Sequence, residues 1–374
     1  MRVRRISFAA LALLAVGALA GTTGCSDDPE GSSGPSLIVF NTEGQDLNAY
    51  DVLNGDLKQV VVSGNEDGTD PVLPAVNGQI CFDPTGTGQF VLGDDGGQPN
   101  PPPGWSVMRL TGNRVGALSA TRVARLIPTY QAEPDNYGCG YLSDGRLLTT
   151  DIGNSQFGSG NGQLIVWFPP FGLTDNRYCK LDIGIATAGG ILIDEQERIY
   201  VASARGAAGI YRYTGPFPTS DDAAGGCGQR DGTEAPFADQ VNKERFIPND
   251  TNIISPNAIA GSGHGTFYVS SIINGVIAEY DADGKFLRRV LQPPPGDVLG
   301  TMPYSTGTPL GVGVDSIGTL YYADIGLVVD DDGIGPKSGL GKVRRIRFEN
   351  GDPLPPETID SGLNFPDGIG ILER

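Results

Sequence analysis

The chain has 374 residues, with 26 Lys and Arg against 44 Asp and Glu and a formal net charge of −18 at pH 7. An acid excess of this size excludes nucleic acid and anionic lipid surfaces as partners of the folded chain, and is otherwise the ordinary surface of an exported protein. Its 56 Gly and 28 Pro suit a fold of many tight turns, while alternating apolar residues argue against disorder and no helical periodicity follows residue 24.

Residues 1–24 read as an export signal. Arg2, Arg4 and Arg5 precede an apolar run from Ile6 to Gly21 that is too short to span a bilayer. The run continues into Thr22-Thr-Gly-Cys25, which resembles a bacterial lipoprotein signal, and that resemblance implies lipidation of Cys25. Ordinary cleavage after Ala18-Leu-Ala20 is the alternative. Residues 25–36 are polar and Gly- and Ser-rich, a flexible tether. Ser26 directly after the cysteine is similar to lipoproteins bound for the outer membrane of Gram-negative bacteria.

From residue 37 onward the pattern is all β. Leu37-Ile-Val-Phe, Leu47-Asn-Ala-Tyr-Asp-Val and Leu57-Lys-Gln-Val-Val-Val are three strands without a partner phrase before them. Six related phrases then follow: Asn77-Gly-Gln-Ile-Cys-Phe-Asp, Tyr137-Gly-Cys-Gly-Tyr-Leu-Ser-Asp-Gly, Gly189-Gly-Ile-Leu-Ile-Asp, Asn257-Ala-Ile-Ala, Leu310-Gly-Val-Gly-Val-Asp and Asp367-Gly-Ile-Gly-Ile. The first five lead into further strands, whereas the sixth ends at the C-terminus. A chain that starts in mid-repeat and stops on the strand it still needs is closing a ring with no open sheet edge. The expectation is one domain over residues 37–374, a six-bladed β-propeller and a monomer, closed between the N-terminal strands and the C-terminal one.

The repeats are spaced more widely than the roughly 40–45 residues of minimal blades. The surplus reads as loops on one face of the ring: 94–106, 151–163, 171–188, 214–256, 293–309 and 324–342. Such a rim around a central depression is where a ligand is expected. At its lip the repeats offer Gly78, Tyr137, Gly189, Asn257, Leu310 and Asp367, with Asn136 one step away. Tyr137, Tyr304 and Arg205 are candidate pocket residues, as are Tyr130, Trp105 and Trp167, the two tryptophans being equally suited to packing between blades.

Five cysteines in an exported chain need an accounting, and setting Cys25 aside leaves Cys81, Cys139, Cys179 and Cys227. Opposite strand parity allows Cys81 to bridge Cys139 between adjacent inner strands, and Cys179 would then pair with Cys227 across the loops flanking blade four. Four free buried thiols are the other possibility. His264 is the only histidine, in a turn assigned to the face opposite the rim, and no Ser-His-Asp, Cys-His, phosphate-loop or zinc spacing is present. Asp151 and Asp324, in Thr149-Thr-Asp-Ile-Gly and Tyr322-Ala-Asp-Ile-Gly, resemble the turn-closing Asp of NHL repeats, a scaffold role.

Pro256-Asn-Ala-Ile and Pro366-Asp-Gly-Ile resemble the Pro-Asn-Gly-Ile and Pro-Asp-Gly-Ile phrases of the senescence marker protein and gluconolactonase family, over the whole ring at the level of repeat pattern. That resemblance implies a channel cation, often calcium, held by Asn257, Asp367 and Asn136, with Asp367 also the catalytic candidate for opening a lactone or ester. This chain departs from the family pattern: no inner strand begins Glu-Gly, and Gly189 and Leu310 fill slots that could hold ligands. Three functions are therefore carried forward. They are an envelope-anchored propeller lipoprotein binding a small molecule, glycan or envelope protein on its channel face; a calcium-dependent lactonase or esterase; and a metal-free enzyme resembling strictosidine synthase, which would bury Asp367 with a raised pKa. Local turn bonding accounts equally for Asn257 and Asp367 in a protein with no chemistry.

Overall fold

A computed structural model describes residues 36–64, 75–95, 103–129, 134–153, 162–228, 236–331 and 333–374. Cys25, Tyr130 and the proposed signal and tether up to residue 35 lie outside them. Ser36 to Arg374 is a six-bladed β-propeller of antiparallel sheets. The six innermost strands are Pro366–Glu373, Val76–Phe82, Asn136–Tyr141, Ala188–Ile193, Pro256–Gly261 and Pro309–Val314, for blades one to six in turn. Middle strands such as Gly162–Phe168 are buried along their whole length, as expected of a sheet covered on both faces.

Ring closure follows the expectation. Leu37–Glu43 pairs on one side with Asp46–Asp51 and on the other with Pro366–Glu373, in the register Leu37 to Glu373 through Asn41 to Ile369. Ser36 and Arg374 then exchange both backbone hydrogen bonds at 3.0 Å. The two ends of the described chain meet at one point on the face where the inner strands finish.

Fourth strands lie inside two of the segments expected to be rim loops. Arg177–Ile185 completes blade three within 171–188, and Asn242–Pro248 completes blade four within 214–256. An outermost strand faces solvent, so Asn242-Lys-Glu-Arg carries no alternating apolar signal. The 324–342 segment likewise holds a hairpin, Leu327–Asp330 with Gly333–Pro336.

Both disulfides form, Cys81 with Cys139 and Cys179 with Cys227. The first joins the inner strands of blades two and three as expected. The second differs from the expected loop-to-loop bridge. Cys179 is in blade three's outer strand, and Cys227 begins a short hairpin, Cys227–Gly228 with Phe237–Ala238, inserted from blade four. That hairpin adds to blade three's edge in parallel through Lys180 and Phe237, extending the sheet to six strands and covering an edge that would otherwise be open. Replacing Cys81 and Cys139 together by serine removes a cross-link between residues 58 apart, and the expected loss is ~4 kcal/mol from unfolded-chain entropy. An unchanged denaturation midpoint would remove the bridge from the account.

Packing between blades is aromatic and aliphatic. Trp105 and Trp167 are fully buried with ring centroids 6.2 Å apart, between blades two and three, so they pack blades and do not line a pocket.

Candidate functional site

Each inner strand carries a bulge just after its first residues, and this exposes backbone groups at the channel lip that need partners. In alternate blades one hydroxyl on the second strand satisfies them. Thr42 accepts from Gly368 N–H at 2.8 Å and donates to the Gly78 carbonyl of the next blade at 2.9 Å. Thr150 does the same between Gly138 and Gly189, at 2.7 Å each, and Ser270 between Ala258 and Leu310, at 3.0 and 2.6 Å. Gly93, Ala202 and Ala323 occupy this step in the other three blades.

The lip residues are those the repeats align. Gly78, at φ +64°, and Gly189 lack side chains because a Cβ on either would strike backbone, the Tyr137 carbonyl for Gly78 and the Asn257 carbonyl for Gly189. Tyr137 uses the space they leave. Its ring is buried with Leu310, from the blade directly opposite, and with Ile325 and Leu327. Its hydroxyl accepts from Asn257 Nδ2 at 3.5 Å and faces the Asp367 carboxyl. Burial and the neighbouring Asp367 charge hold the Tyr137 pKa well above its ordinary range, so the phenol stays a neutral donor.

Asp367 is 4% exposed. Its Oδ2 accepts the Gly78 N–H at 2.8 Å, whereas Oδ1 has no hydrogen-bond partner among the described residues. Burial raises its pKa to about 6, against the opposing pull of the Gly78 N–H and the Tyr137 hydroxyl, with the charge of Asp135 adding to the rise.

Further acidic and carboxamide groups surround it. Asn77 donates to Asp95 at 2.6 Å, and Asn136 donates to the Asp94 carbonyl at 3.2 Å and to Asp95 at 3.4 Å. The oxygens of both carboxamides converge on the space that a Cβ on Gly93 would fill, and neither has a partner among the described residues. Asp95 is pushed up to about 7 by the protein packed around it and then by Asp135, Asp367 and Asp94; its contact with solvent at the mouth screens part of that push. Asp135, itself in contact with solvent that screens part of the effect, is raised to about 6, by the surrounding protein first and by Asp151 second. Among the described residues none of Asp95, Asp135 and Asp367 has a Lys or Arg partner. A cavity of about 190 Å³ opens here, lined by Thr42, Glu43, Asn77, Asp95, Phe365 and Asp367 among others.

The structure thus brings Asn257, Tyr137 and Asp367 together, with Asn136 behind Asp95. It does not bring in Tyr304, whose hydroxyl donates to the Ile273 carbonyl at 3.4 Å, or Arg205, exposed in the turn after Ile199–Ser203. Asp151 and Asp324 cap turns: Asp151 Oδ1 accepts the N–H of Asp135 and Gly153, and Asp324 Oδ1 that of Thr308 and Gly326. Asn77, Asp95, Asp135 and Gly93 are site residues that sequence reasoning passed over. The signal was available for Asp95 alone, as an acid directly after Asp94, which ends its strand as Asp151 and Asp324 end theirs.

Calcium requires about six to eight oxygen ligands. Among the described residues no three Asp, Glu, His or Cys side chains come close enough to hold a metal ion. Asn257 turns its Nδ2 to the Tyr137 hydroxyl, and Asn136 aims its oxygen at Gly93. The described residues do not fit a channel cation.

No protein-family model matches the sequence, and no curated protein does. Solved structures do match. A nidogen/laminin complex structure is 13% identical with a TM-score of 0.55, covering 90% of this chain and 98% of the other. A luciferin-regenerating enzyme is 14% identical with a TM-score of 0.50, over 90% and 99%. A gluconolactonase from Xanthomonas campestris is 16% identical with a TM-score of 0.45, over 75% of each chain. At such identities the likeness is one of fold alone, the six-bladed propeller.

Proposed function

We propose that the protein is an exported propeller, held to the cell envelope through Cys25, that binds a small molecule or glycan at the polar mouth of its channel. Two disulfides accord with an oxidising compartment, and no helix among the described residues is long and apolar enough to cross a membrane. The observation that carries the binding reading is the buried Asp367 Oδ1, without a partner among the described residues, on a cavity also lined by Asn77, whose Oδ1 is equally bare. Buried acceptors are normally satisfied, and a ligand that donates hydrogen bonds would satisfy these. The mouth is acceptor-rich and acidic, which favours hydroxyl-rich neutral molecules over anions.

A panel of sugars, polyols and short glycans, read by thermal melting and calorimetry, tests this. A ligand that raises the melting temperature of the wild type and not of Asp367→Asn supports the reading; no response across the panel overturns it. Calcium belongs in the same panel. Tight calcium binding abolished by both Asn257→Ala and Asp367→Ala would replace the reading with the metal-dependent lactonase.

The raised Asp367 carboxyl favours one second reading, a metal-free enzyme using Asp367 for proton transfer near neutral pH. Turnover that titrates near pH 6 and disappears in Asp367→Asn, with ligand affinity kept, would establish it.

A further inference from the structure

The channel has a second mouth, at the end where the inner strands finish, where aliphatic walls and polar groups share the lining. A cavity of about 790 Å³ lies there, within the size range of small-molecule pockets. Its walls are aliphatic and aromatic side chains of alternating inner-strand residues, Ile191 and Ile369 deep, and Phe82, Ile193, Val314 and Ile371 half-buried nearer the opening. Gln79 marks its inner end. The Gln79 carboxamide donates to the Ile191 carbonyl at 2.7 Å and accepts from Ile191 N–H at 2.8 Å and Cys139 N–H at 3.3 Å. Its oxygen and nitrogen are thereby engaged with backbone, and the inner end presents a satisfied amide plane beside aliphatic walls.

The opening is polar, and among the described residues it offers no free cation. Arg198 is paired with Asp194 at 2.6 Å, Asp194 also accepts from the Tyr200 hydroxyl at 3.0 Å, and Glu195 and Gln196 are exposed. A carboxylate or phosphate head group would meet Glu195 and an already neutralised arginine, within a chain of strong net negative charge.

We infer that this funnel is a second binding site, independent of the polar mouth, which takes an uncharged apolar small molecule with its apolar end against Gln79. Burying aliphatic surface in a preformed cavity supplies the affinity, and the acidic lip selects against anionic amphiphiles.

The test uses the full chain carrying Cys25→Ser, which removes any attached acyl group as a competitor, with the neutral probe N-phenyl-1-naphthylamine. The expected result is a saturable, one-to-one rise in fluorescence, and at least tenfold weaker binding of the anionic 8-anilinonaphthalene-1-sulfonate. Ile371→Glu places a charge at the opening and Val314→Trp fills it. Each should weaken the neutral probe at least tenfold with the melting temperature unchanged, so if one variant misfolds the other still decides. No saturable binding, equal binding of both probes, or full binding in a folded variant would overturn the inference, the last by placing the probe elsewhere. None of these outcomes touches the polar mouth, which Asp367→Asn tests separately.

Discussion

Asp367→Asn is expected to make the protein more stable at pH 8 and to leave it unchanged near pH 4. The carboxyl titrates at about 6 in the folded chain and near its ordinary value of 3.8 when unfolded. A carboxyl raised in this way contributes stability that is fully present below the unfolded value and is lost as pH rises through 6, because the native state must then hold an ionised, buried group. The loss amounts to ~3 kcal/mol by pH 8. Asparagine keeps an acceptor for the Gly78 N–H and never ionises. The measurement is chemical denaturation of both proteins from pH 4 to pH 8. A variant less stable at pH 8, or a difference that does not change with pH, would contradict the account. Confirmation would mark Asp367 as a side chain that costs the fold stability, which is the expected signature of a group kept for binding or catalysis.

Gly368→Ala should have the largest effect of any single methyl group near the channel. A Cβ at 368 would lie far inside contact distance of the Gly78 carbonyl and 3.0 Å from Gln79 Cα, all of it backbone of the neighbouring blade. Backbone held by a sheet on one side and a disulfide-linked blade on the other cannot move aside as a side-chain tip can. The expected cost is ~3 kcal/mol or more, a large share of the stability of an ordinary domain. Gly261→Ala is the control, since nothing lies within 4 Å of its added methyl and its stability should change by less than ~0.5 kcal/mol. Urea midpoints that coincide for the two variants would refute the claim that inner strands of blades one and two touch through glycine.

The ring was legible in the residues because closure leaves a trace in chain order. Three strands without a first, and a first strand without the rest, can be paired in only one way, and Leu37 with Glu373 realises it. Lip residues were legible for the same reason: Tyr137, Asn257 and Asp367 hold one repeat position. What was not legible depends on distance across the channel. Nothing in the sequence says that Tyr137 reaches Leu310 on the opposite blade, or that its hydroxyl lies between Asn257 and Asp367, since this follows from the missing side chains at Gly78 and Gly189. The outer strands were hidden for a different reason, because exposed residues such as Asn242 to Arg245 need no apolar periodicity to pair. The resemblance that implied calcium rested on Asn257 and Asp367 alone, and two residues of the right type do not establish the direction their oxygens point.

The pairing of Ser36 with Arg374 decides which way the molecule presents itself. Both ends of the described chain leave from the base of the ring, beside the apolar funnel and on the far side from Asp367. A grip on the N-terminal end is therefore a grip on the base. Anything that holds Ser36 or Arg374 covers the funnel side and leaves the acidic mouth facing the other way.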